Sequence, residues 1–177
     1  MKKKTLALVL ALTLLVAGVV GGTLAWLTDQ TAEVKNTFTV GDINIGLTET
    51  TADYKMVPGN TIAKDPTVTV KANSEACWLF VKVTESENLD TFITYAIAEG
   101  WTALPGVDGV YYREVPASAA DQTFSVLADN AVTVNSDVTK EMLTAKDFAN
   151  PTLTFQAYAV QKDNVASASD AWAKVTP

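Results

Sequence analysis

Histidine is absent from this 177-residue chain, and cysteine occurs once, as Cys77. Without histidine the zincin signature cannot be written, since it needs two on one helix. Ser-His-Asp and Cys-His nucleophilic arrangements are excluded for the same reason. A single cysteine cannot close an intrachain disulfide, so packing and strand pairing must hold the fold. Cys77 stands in "EACWLFVKV", among apolar residues at strand spacing. That setting reads as a buried, inert thiol, with a bridge between chains as the alternative. It lies too far from the N-terminal leader to be a lipid-attachment site.

Basic charge is also scarce, with 13 Lys+Arg against 20 Asp+Glu. Three of the lysines, Lys2, Lys3 and Lys4, precede the run "TLALVLALTLLVAGVV" and the exit "GGTLA". A basic start, a short apolar stretch and a small-residue exit describe a secretory signal, residues 1–25. Cleavage is expected between Ala25 and Trp26; an uncleaved membrane anchor is the alternative. The exported chain, 26–177, then carries 10 basic and 20 acidic residues, a charge of −10. Such a surface repels phosphate backbones, so nucleic acid is not an expected partner. Membrane contact is expected only through the signal, before cleavage.

Beyond Ala25 the pattern is that of strands. "NTFTV" sets Phe38 and Val40 on one face, and "INIGL" does so with Ile43, Ile45 and Leu47; parity changes at Gly41-Asp42, where a bulge or tight bend is expected. "TVTVK" turns Val68 and Val70 inward. "CWLFVKV" puts Cys77, Leu79, Val81 and Val83 on one side and Trp78 and Phe80 on the other. Both sides are apolar, which suits a central or covered strand. "DTFITYAI" alternates through Ile93, Tyr95 and Ile97. "WTALPGVDGVYYREV" reads as a hairpin around Pro105, Gly106, Asp108 and Gly109. "QTFSVL", "AVTVN" and "PTLTFQAYAVQ" add three strands. The expectation is an all-β domain, an antiparallel jelly-roll-like β-sandwich with one or two short helices. The helices are expected in "VTKEMLTAKDF", capped by Thr139 and running to Phe148, and in "SASDAWAKV", with Trp172 packing down.

Motifs for chemistry are missing. The 20 acidic residues are scattered, as on a solvated surface. "DNAVTVNSD" and "PGVDGV" offer oxygen ligands, but not at the spacing of a calcium loop. No Gly-rich loop joins a strand to a helix as phosphate sites require. Aromatic residues fall at strand spacing, as core residues do. No catalytic residue, cofactor or metal site is expected.

Four stretches in order carry a resemblance. They are Gly21-Gly22-Thr23-Leu24-Ala25 followed by Asp29 and "NTFTVGDINI"; "VPGNTIAKDPTVTVKANSEACWLFVKV", with Pro58-Gly59; "GWTAL…GVYYREV"; and "LTFQAYAVQKDNV…AW". Together they resemble the TasA/camelysin family of secreted proteins of Gram-positive bacteria. The resemblance implies a signal cut by a SipW-type peptidase, a mature jelly-roll sandwich, and a place in the extracellular matrix or at the cell surface. TasA-like members assemble into biofilm fibres, the N-terminal segment of one subunit completing the sheet of the next. Camelysin-like members are classed as surface metallopeptidases, a role that sits poorly with a chain lacking histidine.

Residues 26–35 are thus the candidate donor strand, with Leu27, Ala32 and Val34 as its subunit-contact residues. Extended, they reach about 33 Å. Ala32 and Val34 share parity with Phe38 and Val40, so one apolar face continues through the segment. The segment pairing within its own domain is the alternative. The expected function is a secreted structural subunit of matrix fibres, self-assembling by strand addition. A camelysin-type secreted peptidase and a monomeric envelope-binding module are the alternatives.

Overall fold

Among the described residues, alternation of apolar and polar residues gives ten strands, all paired antiparallel. The computed structural model describes residues 42–50 and 55–175. The cleavage residues Ala25 and Trp26, the donor-strand residues Leu27, Ala32 and Val34, the strand through Phe38 and Val40, and Gly41 lie outside the described residues.

The strands are β1 (Ile45–Thr48), β2 (Thr61–Ala63), β3 (Thr67–Val70), β4 (Cys77–Glu85), β5 (Ile93–Thr94), β6 (Thr102–Ala103), β7 (Val110–Val115), β8 (Gln122–Ser125), β9 (Ala131–Val134) and β10 (Leu153–Gln161). Three short helices accompany them: α1 (Leu89–Phe92), α2 (Lys140–Leu143) and α3 (Ala168–Val175). The sheets run β1-β3-β8, β10-β4-β7-β6 and β2-β9-β5.

Two of these sheets join through a bend. Lys64 N–H donates to Asn130 O, and Val126 N–H donates to the Pro66 carbonyl, so β2–β3 stays paired with β8–β9 across the gap. The register shifts by two residues there, from Ile62 opposite Val132 to Val68 opposite Phe124. The surplus is taken up by a 3₁₀ turn, Ala128–Asn130, whose Asp129 and Asn130 hold φ of 54° and 50°. Asparagine and aspartate tolerate this left-handed region better than most residues.

β4 is the central strand, as its two apolar faces require. Cys77, Leu79 and Val81 share one buried cluster with Val68, Val70, Val115 and Val126. Trp78 and Phe80 point the other way, beneath α3, whose Ala171 and Trp172 close the second cluster. The Phe80 and Trp172 rings lie 5.2 Å apart. A third cluster gathers Leu89, Phe92, Ile93, Val132, Val134 and Val138.

The hairpin forms as read, with Thr102 opposite Tyr112 and Ala103 opposite Tyr111. Gly109, at φ 70°, lies so close to the Val83 carbonyl that a Cβ would collide with it.

Two expectations need correction. "DTFITYAI" is not one strand: α1 occupies its start, and only Ile93–Thr94 pairs, with β9. Leu89 and Phe92, three residues apart, both reach the third cluster, and a helical turn delivers that spacing where a strand would split it. Nor does the helix after Thr139 run to Phe148. Thr139 caps it as expected, accepting from Met142 N–H, but it stops at Leu143. There the Thr144 hydroxyl donates to the Lys140 carbonyl, and Phe148 turns in against Phe92, 5.5 Å between rings. The helices therefore number three among the described residues, not one or two.

Candidate functional site: an open seam between two strand edges

Hydrogen-bond parity shows which backbone groups are left over. At the ends of the β4–β10 ladder, Ser86 N–H donates to Thr152 O and Lys162 N–H donates to Ala76 O. With Phe155 opposite Val83, these two bonds assign the even residues of β10 to β4. The odd residues, Leu153, Phe155, Ala157, Ala159 and Gln161, therefore aim their N–H and C=O groups away from β4. Lys71 N–H donates to Asn44 O, which by the same rule assigns even positions of β1 to β3. Ile45 and Leu47 aim their backbone groups away from β3.

Both outward rows border the same cluster, since Ile45 and Leu47 pack against it from one side and Phe155, Ala157 and Ala159 from the other. Neither β1 nor β10 has a second strand partner among the described residues. Between them lies a cavity of about 290 Å³, lined by Leu47, Pro66, Leu153 and Phe155 among others. A larger one of about 510 Å³ adjoins it through Leu153 and Thr154 and extends to Ile62, Leu89 and Val132. Unpaired strand edges are what an added strand needs.

Lys64 stands in the larger cavity's wall. Its ammonium lies 2.6 Å from Glu49 and 5.4 Å from the Phe155 ring centroid. The Lys64 side chain is 10 % exposed and that of Glu49 is 24 % exposed, so the pair is largely withdrawn from water. Nearby, the Asp65 carboxylate accepts from the Thr50 hydroxyl and N–H, and these bonds hold its pKa below the usual carboxylate value.

A third cavity, about 440 Å³, lies elsewhere, lined by Glu85, Asp90, Tyr95 and Tyr111 among others. Tyr95 donates to Glu85 there. Burial, and then the Glu85 carboxylate, push the phenol's pKa up, so it keeps its proton. Cys77 is fully buried under β1-β3-β8, and burial pushes its thiol up to about 11. It is inaccessible, which leaves a bridge between chains no route in the folded protein. Among the described residues no three His, Cys, Asp or Glu side chains gather as a metal site would, and no helix is long and apolar enough to cross a membrane.

No protein-family model matches this chain, and no curated protein or solved structure matches it either.

The expected contact residues Leu27, Ala32 and Val34 lie outside the described residues. Lys64 and the odd row of β10 were missed. The small residues Ala157 and Ala159, spaced two apart in "LTFQAYAV", were the available signal for an inner row packed against the main cluster.

Proposed function

We propose that this protein is a secreted structural subunit of an extracellular matrix fibre, of the TasA/camelysin kind, assembling by strand addition. The observation that carries the reading is the pair of edge strands, β1 and β10, whose outward backbone rows have no strand partner among the described residues. An incoming strand can bond to one of these edges, its alternate side chains facing the core. The donor is the segment 26–35 of a neighbouring subunit, with Ala32 and Val34 on its inward face and Leu27 on the other. Head-to-tail addition of this kind is heterologous, so it propagates as a filament unless it closes into a ring.

The same reading assigns a jelly-roll-like sandwich. With β2–β3 and β8–β9 each taken as one bent strand, β1-β3-β8 and β2-β9-β5 behave as one layer over β10-β4-β7-β6. Side chains from both layers enter one cluster, which supports two sheets face to face.

The test is a secreted variant beginning at Asn36. It should keep the sheet signature in circular dichroism and fail to sediment as fibre. Free peptide spanning Trp26 to Lys35 should slow growth of the intact chain. Equal fibre yield from the truncated protein sinks the strand-addition mechanism.

A further inference from the structure

Arg113 is the sole arginine of the chain. It sits on β7 opposite Leu79, between Tyr111 and Val115, on the face turned toward the main cluster. Its guanidinium carbon lies 3.9 Å from the Phe124 ring centroid and 5.4 Å from that of Trp101. Trp101 is itself fixed, its indole N–H donating to Ser125 O at 2.8 Å. Gly100, at φ 87°, passes so near that a Cβ there would stand 3.0 Å from Arg113 Nη2. The cradle thus holds the planar group by stacking.

The guanidinium's N–H edges find no acid. The three ion pairs among the described residues use Lys64, Lys71 and Lys162. Arg113 Nε is buried without a hydrogen-bond partner. A buried guanidinium N–H left unmatched is costly, and a planar fork of donors fits a carboxylate bidentately. Nε itself is closed to solvent, but the side chain as a whole is only partly buried, so an outside carboxylate can reach the terminal Nη groups.

We propose that Arg113 receives a carboxylate from a second copy of this chain, a contact that deepens the assembly reading above and rests on it. Charge complementarity names the occupant, because the chain carries 20 acidic residues against 13 basic ones. Each copy offers many carboxylates and a single aromatic-cradled guanidinium. Stacked arginine is also more weakly hydrated than lysine, which favours it for contacts that lose water.

Because the arginine is unique, labelling with ¹⁵N-arginine gives one side-chain Nε–H signal. In the exported chain, that signal should shift and exchange more slowly with solvent as concentration rises through the onset of light scattering. Sodium acetate should shift it the same way and raise the concentration needed for assembly more than sodium chloride does at equal ionic strength. Arg113→Met, which keeps the apolar packing, should raise that concentration about tenfold or more with near-ultraviolet circular dichroism unchanged. Arg113→Lys should recover only part of the loss.

A signal that stays fixed from dilute to assembled protein overturns the proposal. So does a signal that moves with acetate but not with protein concentration, which would make a free small carboxylate the ligand. Wild-type assembly by a folded Arg113→Met chain overturns it as well, and if that variant misfolds the labelled wild-type protein decides alone. A truncated chain that still assembles while the Arg113 signal moves would instead remove strand addition and leave the arginine contact standing.

Discussion

Lys64, in the bend between β2 and β3, holds Glu49, just beyond β1, at 2.6 Å across the mouth of the seam. The bond ties the end of one outward-facing row to the floor of the larger cavity. Lys64→Met should therefore destabilise the fold, because it removes an ion pair that is largely withdrawn from water. The loss should fall below the roughly 3–5 kcal/mol of a fully buried pair, since Glu49 keeps some solvent. Lys64→Met combined with Glu49→Gln should regain most of it. Urea titration of the three variants checks this, and a double variant no better than the single one would show that the pair does not matter.

Proline separates the two edges of β10. At Ala157 the backbone N–H points away from β4, so Ala157→Pro removes no bond of the β4 ladder and blocks the acceptor row. Crowding of the inner face should cost about 1–3 kcal/mol. The domain should fold, by circular dichroism, and fibre yield should collapse. Gln156→Pro, which deletes a ladder donor, should unfold the domain instead. A folded Ala157→Pro protein with normal fibre yield would place the acceptor edge elsewhere.

Cys77 should be unreactive in the native state. Its thiol is fully buried, and its pKa of about 11 leaves little thiolate at neutral pH. A thiol reagent should label it only in denaturant. Cys77→Ser should destabilise by roughly 1–3 kcal/mol through a poorly satisfied hydroxyl, without preventing assembly. Loss of oligomers on adding reductant would contradict this.

Acid should act twice. Asp65 and Asp121 both have folded pKa values below their ordinary ones, the first through Thr50, the second through the Ala72 N–H and Lys71. A depressed carboxylate contributes stability above its unfolded pKa and loses it as pH falls through the folded value. Stability should therefore decline below about pH 4, and less so in Asp65→Asn. Association should rise as pH falls toward the isoelectric point, near 4.5 for the full chain and lower without Lys2, Lys3 and Lys4, where self-repulsion is smallest. Salt should aid it at pH 7 by screening. Light scattering that stays flat across pH 4–8 at high protein concentration would argue against charge-limited assembly.

At the alkaline end Tyr95 works in the opposite sense. Its phenol pKa is raised by burial and by Glu85, so the folded state keeps a proton that the unfolded state releases near pH 10. Stability should fall as pH rises above that value. Tyr95→Phe should flatten the slope, as measured by urea midpoints between pH 9 and 11; an unchanged slope would remove Tyr95 as its cause.

Local pattern was enough to read much of the sheet. Both apolar faces of "CWLFVKV" demanded a strand covered on two sides, and β4 is that strand, because one-sided burial would leave Trp78 and Phe80 in water. The turn glycines fixed the β6–β7 hairpin, and Thr139 fixed the start of α2, since capping and positive φ are decided within a few residues. Where local pattern misled, a distant partner had overruled it. Leu89 and Phe92 became a helical turn because the third cluster needed both on one side.

What lies far apart in sequence was decided only by the tertiary structure. Ile45 and Leu47 carry the same alternation as any buried strand, and so do Phe155, Ala157 and Ala159. That their spare backbone groups border one seam follows from β1 pairing with β3 and β10 pairing with β4. Pairings across such separations depend on which faces can be buried together, not on the residues within either strand. The cradle of Arg113 has the same origin. Gly100-Trp101 and Phe124 come to the guanidinium from two chain segments that only the packed sheets bring side by side.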